Sequence, residues 1–264
     1  MELKKTQIEH PFFDAIGRGT IIFFENLGRY CSTIWWMLSH MHNAKEYSRN
    51  IFSQMNIIGV SSIPIVLFIS MFIGMVSAVQ SAYQLFDWIP KSVVGSFVIK
   101  SVLLELVPLM SALVLAGKVG ATITAEIGTM RVTEQIDALD ALAFDSVSFL
   151  ITPRVLSGTL MFPILVIFGG FVAVFGGFLG AILATDVPAE AYIKGIKNSF
   201  EVYDLFIGVI KATVFGFTIT SCACYMGYNA QGGSEGVGKA TMNTVIVSCL
   251  SVVVMDFIIA SILT

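Results

Sequence analysis

Residues 57–79 read IIGVSSIPIVLFISMFIGMVSAV, twenty-three positions without one ionisable side chain. As an α-helix at 1.5 Å per residue this run is about 35 Å long, enough to cross a hydrocarbon layer roughly 30 Å thick. Working outward, the same test finds four more runs. Residues 97–117 are apolar except for Lys100 and Glu105, and 155–185 are free of charge and rich in glycine. Residues 205–228 carry only Lys211, and 241–264 carry only Asp256. The expected fold is therefore an all-α polytopic membrane protein with five transmembrane helices.

Composition agrees. Of the 264 residues 56% are apolar and only 12% charged, where soluble domains run at about 45–50% and about 25%. This excludes a soluble enzyme, a secreted disulfide scaffold and a disordered tail. A formal charge of −3 also argues against nucleic acid, which demands a concentrated basic surface. Cys31, Cys222, Cys224 and Cys249 lack C-x-x-C spacing and read as small buried hydrophobes. His40 and His42 have no acidic or thiol neighbours, so neither a metal nor a cofactor is expected. The first residues, MELKKTQIEHPFF, lack the apolar core of a cleavable signal peptide.

Five crossings put the termini on opposite sides. With the N-terminus cytoplasmic, that side receives Lys4, Lys5, Arg18, Arg29, Lys45, Arg49, Lys118, Arg131, Arg154 and Lys239, while the other receives Lys91, Lys194 and Lys197. Ten against three favours a cytoplasmic N-terminus and an external C-terminus. Residues 1–50 form a separate N-terminal region. There Asp14, Arg18, Glu25 and Arg29 cluster on one side of a helix, opposite Phe12, Ile16, Phe23, Leu27, Tyr30 and Ile34. Such a helix lies flat in the membrane interface, with Trp35 and Trp36 at headgroup level. The alternative is a cytoplasmic helix packed on a partner.

Residues 130–142 are too charged to span. Val132, Ile136, Leu139 and Ala143 share a face, with Glu134, Asp137 and Asp140 opposite. That pattern predicts a short amphipathic helix between the second and third crossings, offering carboxylates to a basic partner or simply connecting two spans. Gly233–Ala240 imitates a phosphate-binding G-x-x-x-x-G-K-[ST] loop, but Ala240 stands where a hydroxyl must hold magnesium. It reads as a flexible cytoplasmic glycine turn, so any ATP-driven work belongs to another subunit.

Charges inside a membrane cost roughly 2.5–3.5 kcal/mol at a helix centre and turn toward the bundle interior or a cavity. Lys100, Glu105, Lys211 and Asp256 are such charges, with Asp256 near the outer end and open to hydration. Pro108 kinks the helix just after Glu105 and opens a pocket there. Lys211 or Lys100 then pairs with Glu105 or meets a lipid phosphate. Gly169, Gly170, Gly176, Gly177 and Gly180 let helices approach closely, within the subunit or across a dimer. So few intramembrane acids and histidines disfavour an ion-coupled carrier.

The run from Glu105 through Pro108, Lys118 and Glu126 to Leu139 resembles the signature of the MlaE-type permeases. The similarity continues through Cys224–Thr241 and Asp256, and so covers residues 51–264. Two positions depart from it: Val107 replaces the glycine of an E-L-G-P motif, and Lys118 an arginine. The resemblance implies a homodimeric permease subunit of a bacterial ABC transporter in the inner membrane, multi-pass, with its C-terminus periplasmic. It also implies a cytoplasmic ATPase pair, a periplasmic MCE-domain ring, and a phospholipid cavity between the copies that serves outer-membrane lipid asymmetry. On that model the 130–142 helix is the coupling helix, with Met130, Arg131, Glu134, Gln135 and Asp137 at the ATPase contact. Glu105, Pro108, Lys211 and Lys100 are the lipid-cavity residues, and no covalent catalysis is expected of this chain. Two rival readings are an ATP-independent channel or carrier for small solutes and a membrane scaffold for the other subunits.

Overall fold

A computed structural model describes residues 11–39, 48–86 and 88–263. His40, His42 and the first ten residues lie outside them, as do the side chains of Phe12, Asp14, Ile16, Arg18 and Phe23. Among the described residues the chain is helical without strands.

Five helical segments are long and apolar enough to cross a membrane: Ser48–Tyr83, Ser92–Val132, Ser146–Ala184, Val202–Tyr228 and Gly233–Leu263. Each begins or ends beyond its apolar run, because the hydrogen-bonded helix continues into polar sequence where water or headgroups replace hydrocarbon. The first crossing comprises α2 (Ser48–Ile58), a tight turn at Val60–Ser62, and α3 (Ile63–Tyr83). Pro64 opens α3 at a position where its missing N–H breaks no internal bond. The second crossing is α4 (Ser92–Ser101), α5 (Val107–Leu115) and α6 (Ala121–Val132), joined through two wide π-helical turns at Val102–Leu106 and Ala116–Gly120. Lys118, in the second π turn, donates to the Ser61 carbonyl and to the Ser61 and Ser62 hydroxyls, which ties the two irregular turns together.

The expected 130–142 helix is two pieces. α6 ends at Val132, Glu134 takes a left-handed φ of 60°, and α7 (Gln135–Ala141) follows at a new angle. Of the expected apolar face, Ile136 is fully buried and Leu139 packs against the core, whereas Ala143 lies beyond α7, exposed and at a φ of 61°. Asp145 then accepts the Val147 and Ser148 backbone N–H groups at 3.2 and 3.4 Å, capping α8 (Ser146–Ala184). The glycine-rich run does not break the helix. It lies along α3, where a methyl on Gly176 would run into the Met71 carbonyl and one on Gly74 into that of Ala173.

α9 (Ala189–Ser199) is an element that no charge-free run announces. It packs on α4 through Tyr192, fully buried, whose hydroxyl donates to the Val174 carbonyl at 3.2 Å and whose pKa burial raises. α10 (Val202–Tyr228) and α11 (Gly233–Leu263) complete the chain. Gly233–Ala240 is therefore not a flexible turn but the opening of α11. The turn itself lies just before, with Gly232 and Gly233 at φ 91° and 67°, where a side chain would be strained.

α1 (Pro11–Ser39) rests on α8 and α10. Tyr30 bonds the Ser221 hydroxyl at 2.7 Å and meets Tyr225 edge-on at 5.5 Å, while burial pushes its phenol up to about 12. Met37 is buried, yet Ile21, Leu27 and Trp35 stay exposed, an apolar face of the kind that enters lipid. Cys222 and Cys224 are buried and Cys249 partly so. Cys31 is exposed on α1, contrary to the reading of all four as buried, because it lies off the face that Tyr30 docks.

Candidate functional site

Between α3 and the α4–α5 segment runs a groove of about 740 Å³. Phe68, Phe72, Val76, Phe97 and Met110 give it apolar walls, and Ser77, Gln80, Ser101 and Glu105 are its polar lining residues. Gln80, Ser77 and Ser101 lie toward the loop that joins α3 to α4, whereas Phe68 and Met110 lie toward the far end of the same antiparallel hairpin.

Glu105 sits in the first π turn with its side chain 41% exposed. Three residues on, Pro108 has no N–H for the Leu104 carbonyl, and its ring crowds the preceding turn. A π turn accommodates both, since it widens the helix by one residue. The sequence expectation of a proline-linked pocket beside Glu105 thus has its counterpart, but as a wide turn and not a sharp kink. Pro108 itself is buried and does not line the groove.

Lys211 is completely buried, and its Nζ lies 2.5 Å from Glu105 Oε1 and 2.9 Å from Asp256 Oδ1. α10 comes this close because Gly208 faces the π turn, where a methyl would stand 2.5 Å from the Leu103 carbonyl. Of the two pairings expected for Glu105, the structure has the one with Lys211. Lys100 turns away to Glu201 at 3.0 Å, and both side chains are exposed. It neither lines the groove nor joins the cluster, because it lies five residues before Glu105 and therefore on another face.

Asp256 is not a hydrated end residue. Its side chain is 15% exposed, held against Lys211. A depth count carries the signal for this contact. Lys211 stands nine residues after the start of α10 at Val202, and Asp256 seven residues before the end of α11 at Leu263. Antiparallel neighbours place such positions at one level.

At the other end of the bundle, Arg131 Nη1 bonds Asp137 Oδ1 at 2.6 Å and its guanidinium lies 5.7 Å from the centre of the Tyr228 ring. Asp137 is thus partly committed to the chain's own structure. Glu134 and Gln135 are exposed, with Gln135 Nε2 on the Thr133 hydroxyl at 3.0 Å, and Met130 packs against the core. Below them Arg154, nearly buried, binds Glu126 at 3.2 Å and the Leu150 carbonyl at 2.9 Å. This pair was not anticipated, since its residues lie 28 positions apart on two helices. Among the described residues no group of three or more His, Cys, Asp or Glu converges on one point.

The family model of the permease MlaE matches residues 51–262. A probable ABC transporter permease protein of Rickettsia prowazekii is 36% identical over 244 residues, 92% of this chain and 94% of the relative. The intermembrane phospholipid transport system permease protein MlaE of Haemophilus influenzae is 34% identical over 253 residues, covering 96% and 97% of the two chains. A probable ABC transporter permease protein of Synechocystis is 34% identical over 221 residues, 84% of each. With a family match across four-fifths of its length and relatives matched nearly end to end, this chain belongs to the MlaE permease family.

Proposed function

We propose that this chain is the phospholipid-handling membrane subunit of an ABC transporter that moves lipids between the inner and outer membranes. The observation that carries the reading is the groove, which is almost wholly apolar and large enough for acyl chains. One of the relatives is named for phospholipid transport. Two copies of the chain enclose the cavity, and their uncovered apolar surface includes Leu250, Phe257 and Ile262 of α11. The N-terminus is cytoplasmic and the C-terminus periplasmic, as the distribution of Lys and Arg favours.

The chain makes no covalent change. A separate cytoplasmic ATPase docks on α7, with Glu134, Gln135 and Asp137 as the contact and Met130 and Arg131 as its support. Closure of that ATPase tilts α7, and α6 and α8, to which α7 is joined, carry the motion to the crossings beside the groove. A periplasmic MCE-domain ring receives or delivers the lipid. Mass spectrometry of the complex after mild detergent extraction tests this reading. The expected result is bound phospholipid in near-stoichiometric amount, reduced in Val76→Trp, whose indole obstructs the groove. A lipid-free complex would instead favour a scaffold.

A further inference from the structure

The seam between the first and second crossings holds a second pocket, of about 80 Å³, whose lining includes Gln54, Ser61, Lys118, Thr122 and Glu126. The groove uses residues 68–80 of the first crossing and 97–110 of the second, so the pocket continues the seam toward the end that carries α7. Of the pocket's lining residues, Ser61 and Lys118 are the nearest to the groove along their two crossings. There the crossings are clasped: Lys118 Nζ donates to the Ser61 carbonyl and, at 3.2 Å each, to the Ser61 and Ser62 hydroxyls. The clasp joins the tight turn at Val60–Ser62 to the π turn at Ala116–Gly120, and irregular turns inside long helices mark hinges and functional sites. Unlike Lys211, which holds two carboxylates, Lys118 has none within ion-pair distance among the described residues. Its release strands no buried acid. The half-buried ammonium can snorkel toward headgroups, and the two hydroxyls keep their own bonds to the Ile57 and Ile58 carbonyls.

We infer that Lys118 is the gate of the groove. Held on Ser61 and Ser62, it closes the seam between groove and pocket, and its release joins them into one path for a phospholipid to the leaflet on the α7 side. The inference rests on the reading of the groove as a phospholipid site and adds the way in and out of it. Ile57 and Thr122, on either side of the pocket, are exposed, so the joined path opens at the surface of the bundle. The lever is α6, which begins directly after the π turn that holds Lys118 and ends three residues before α7 begins. The clasp, made or broken, is the two-state element through which a tilt of α6 is felt at the groove.

The test places spin labels at Ile57→Cys and Thr122→Cys of the full-length chain, with the accessible Cys31 and Cys249 replaced by serine. The chain is assembled with its ATPase and an excess of unlabelled copies, so that electron–electron double resonance reads the separation within one copy. With Lys118 intact the resting complex is expected to give one short distance, and the complex trapped with ATP and vanadate a population roughly 5 Å longer, the travel of one helical turn. Lys118→Met is expected to show the longer population without nucleotide, and Lys118→Arg, which keeps a cationic donor, to stay short. A short distance in nucleotide-free Lys118→Met would overturn the inference, as would a trapped complex with the separation of the resting one. The nucleotide comparison with Lys118 intact decides by itself if Lys118→Met fails to fold. Phospholipid retained by the same complex, counted by mass spectrometry, separates the two claims: lipid bound with an unmoved seam refutes the gate alone, whereas a lipid-free complex refutes the phospholipid site itself.

Discussion

Lys211 holds two carboxylates from two other helices, so its loss is unlike the loss of a surface charge. Removing the cation alone strands Glu105 and Asp256 beside each other in a low-dielectric setting. Breaking such a pair typically costs 3–5 kcal/mol, while replacing all partners with neutral groups is often nearly neutral. Lys211→Met is therefore expected to lower stability by roughly 3 kcal/mol. The triple variant Lys211→Met, Glu105→Gln, Asp256→Asn is expected to recover most of that loss. Thermal unfolding in detergent reads both, and a triple variant no more stable than the single one would contradict the account. At this scale the sequence was only partly legible. Glu105 and Lys211 stand out as charges in apolar runs, yet one sequence does not say which cation meets which acid. Asp256 looked like an end residue because its depth is visible only once α10 and α11 are known to lie side by side.

At the scale of elements, the five crossings were readable because charge-free runs of membrane length have few alternatives in lipid. The π turns were not, since no residue type marks them apart from the proline that follows the first. Nor was α9, whose eleven residues mix Lys, Tyr, Ile and Gly without a strong apolar run. α7 was foreseen by its pattern, but the break at Glu134 was not, because a non-glycine residue at positive φ leaves no sequence trace. The break separates the two acids in consequence. Glu134 is exposed, whereas Asp137 also fixes α7 to α6 through Arg131. Glu134→Lys is therefore expected to weaken co-purification of the ATPase at least tenfold with little change in unfolding temperature, as surface changes stay within about 0.5 kcal/mol. Asp137→Lys is expected to reduce co-purification and unfolding temperature together, because it sets two cations against each other. Normal assembly and ATP turnover in both variants would remove α7 from the contact.

As a whole molecule, the chain places a greasy groove with a buried charge cluster at one level and an amphipathic α7 at the end of the bundle. The crossings that line or back the groove are continuous with the helices on which α7 sits: α4, α5 and α6 form one unbroken second crossing, and α8 starts five residues after α7 ends. Such rigid continuity is what a motion at α7 needs in order to reach the groove. Of the intramembrane charges, Glu105, Lys211 and Asp256 pair with one another, while Lys100 reaches Glu201. The account is tested most directly by reconstituting the chain with its ATPase in donor liposomes and following fluorescent phospholipid into an acceptor. Transfer that requires ATP and slows in Val76→Trp is the predicted result. Transfer by this chain without ATPase, or ATP hydrolysis by this chain without a partner, would contradict it.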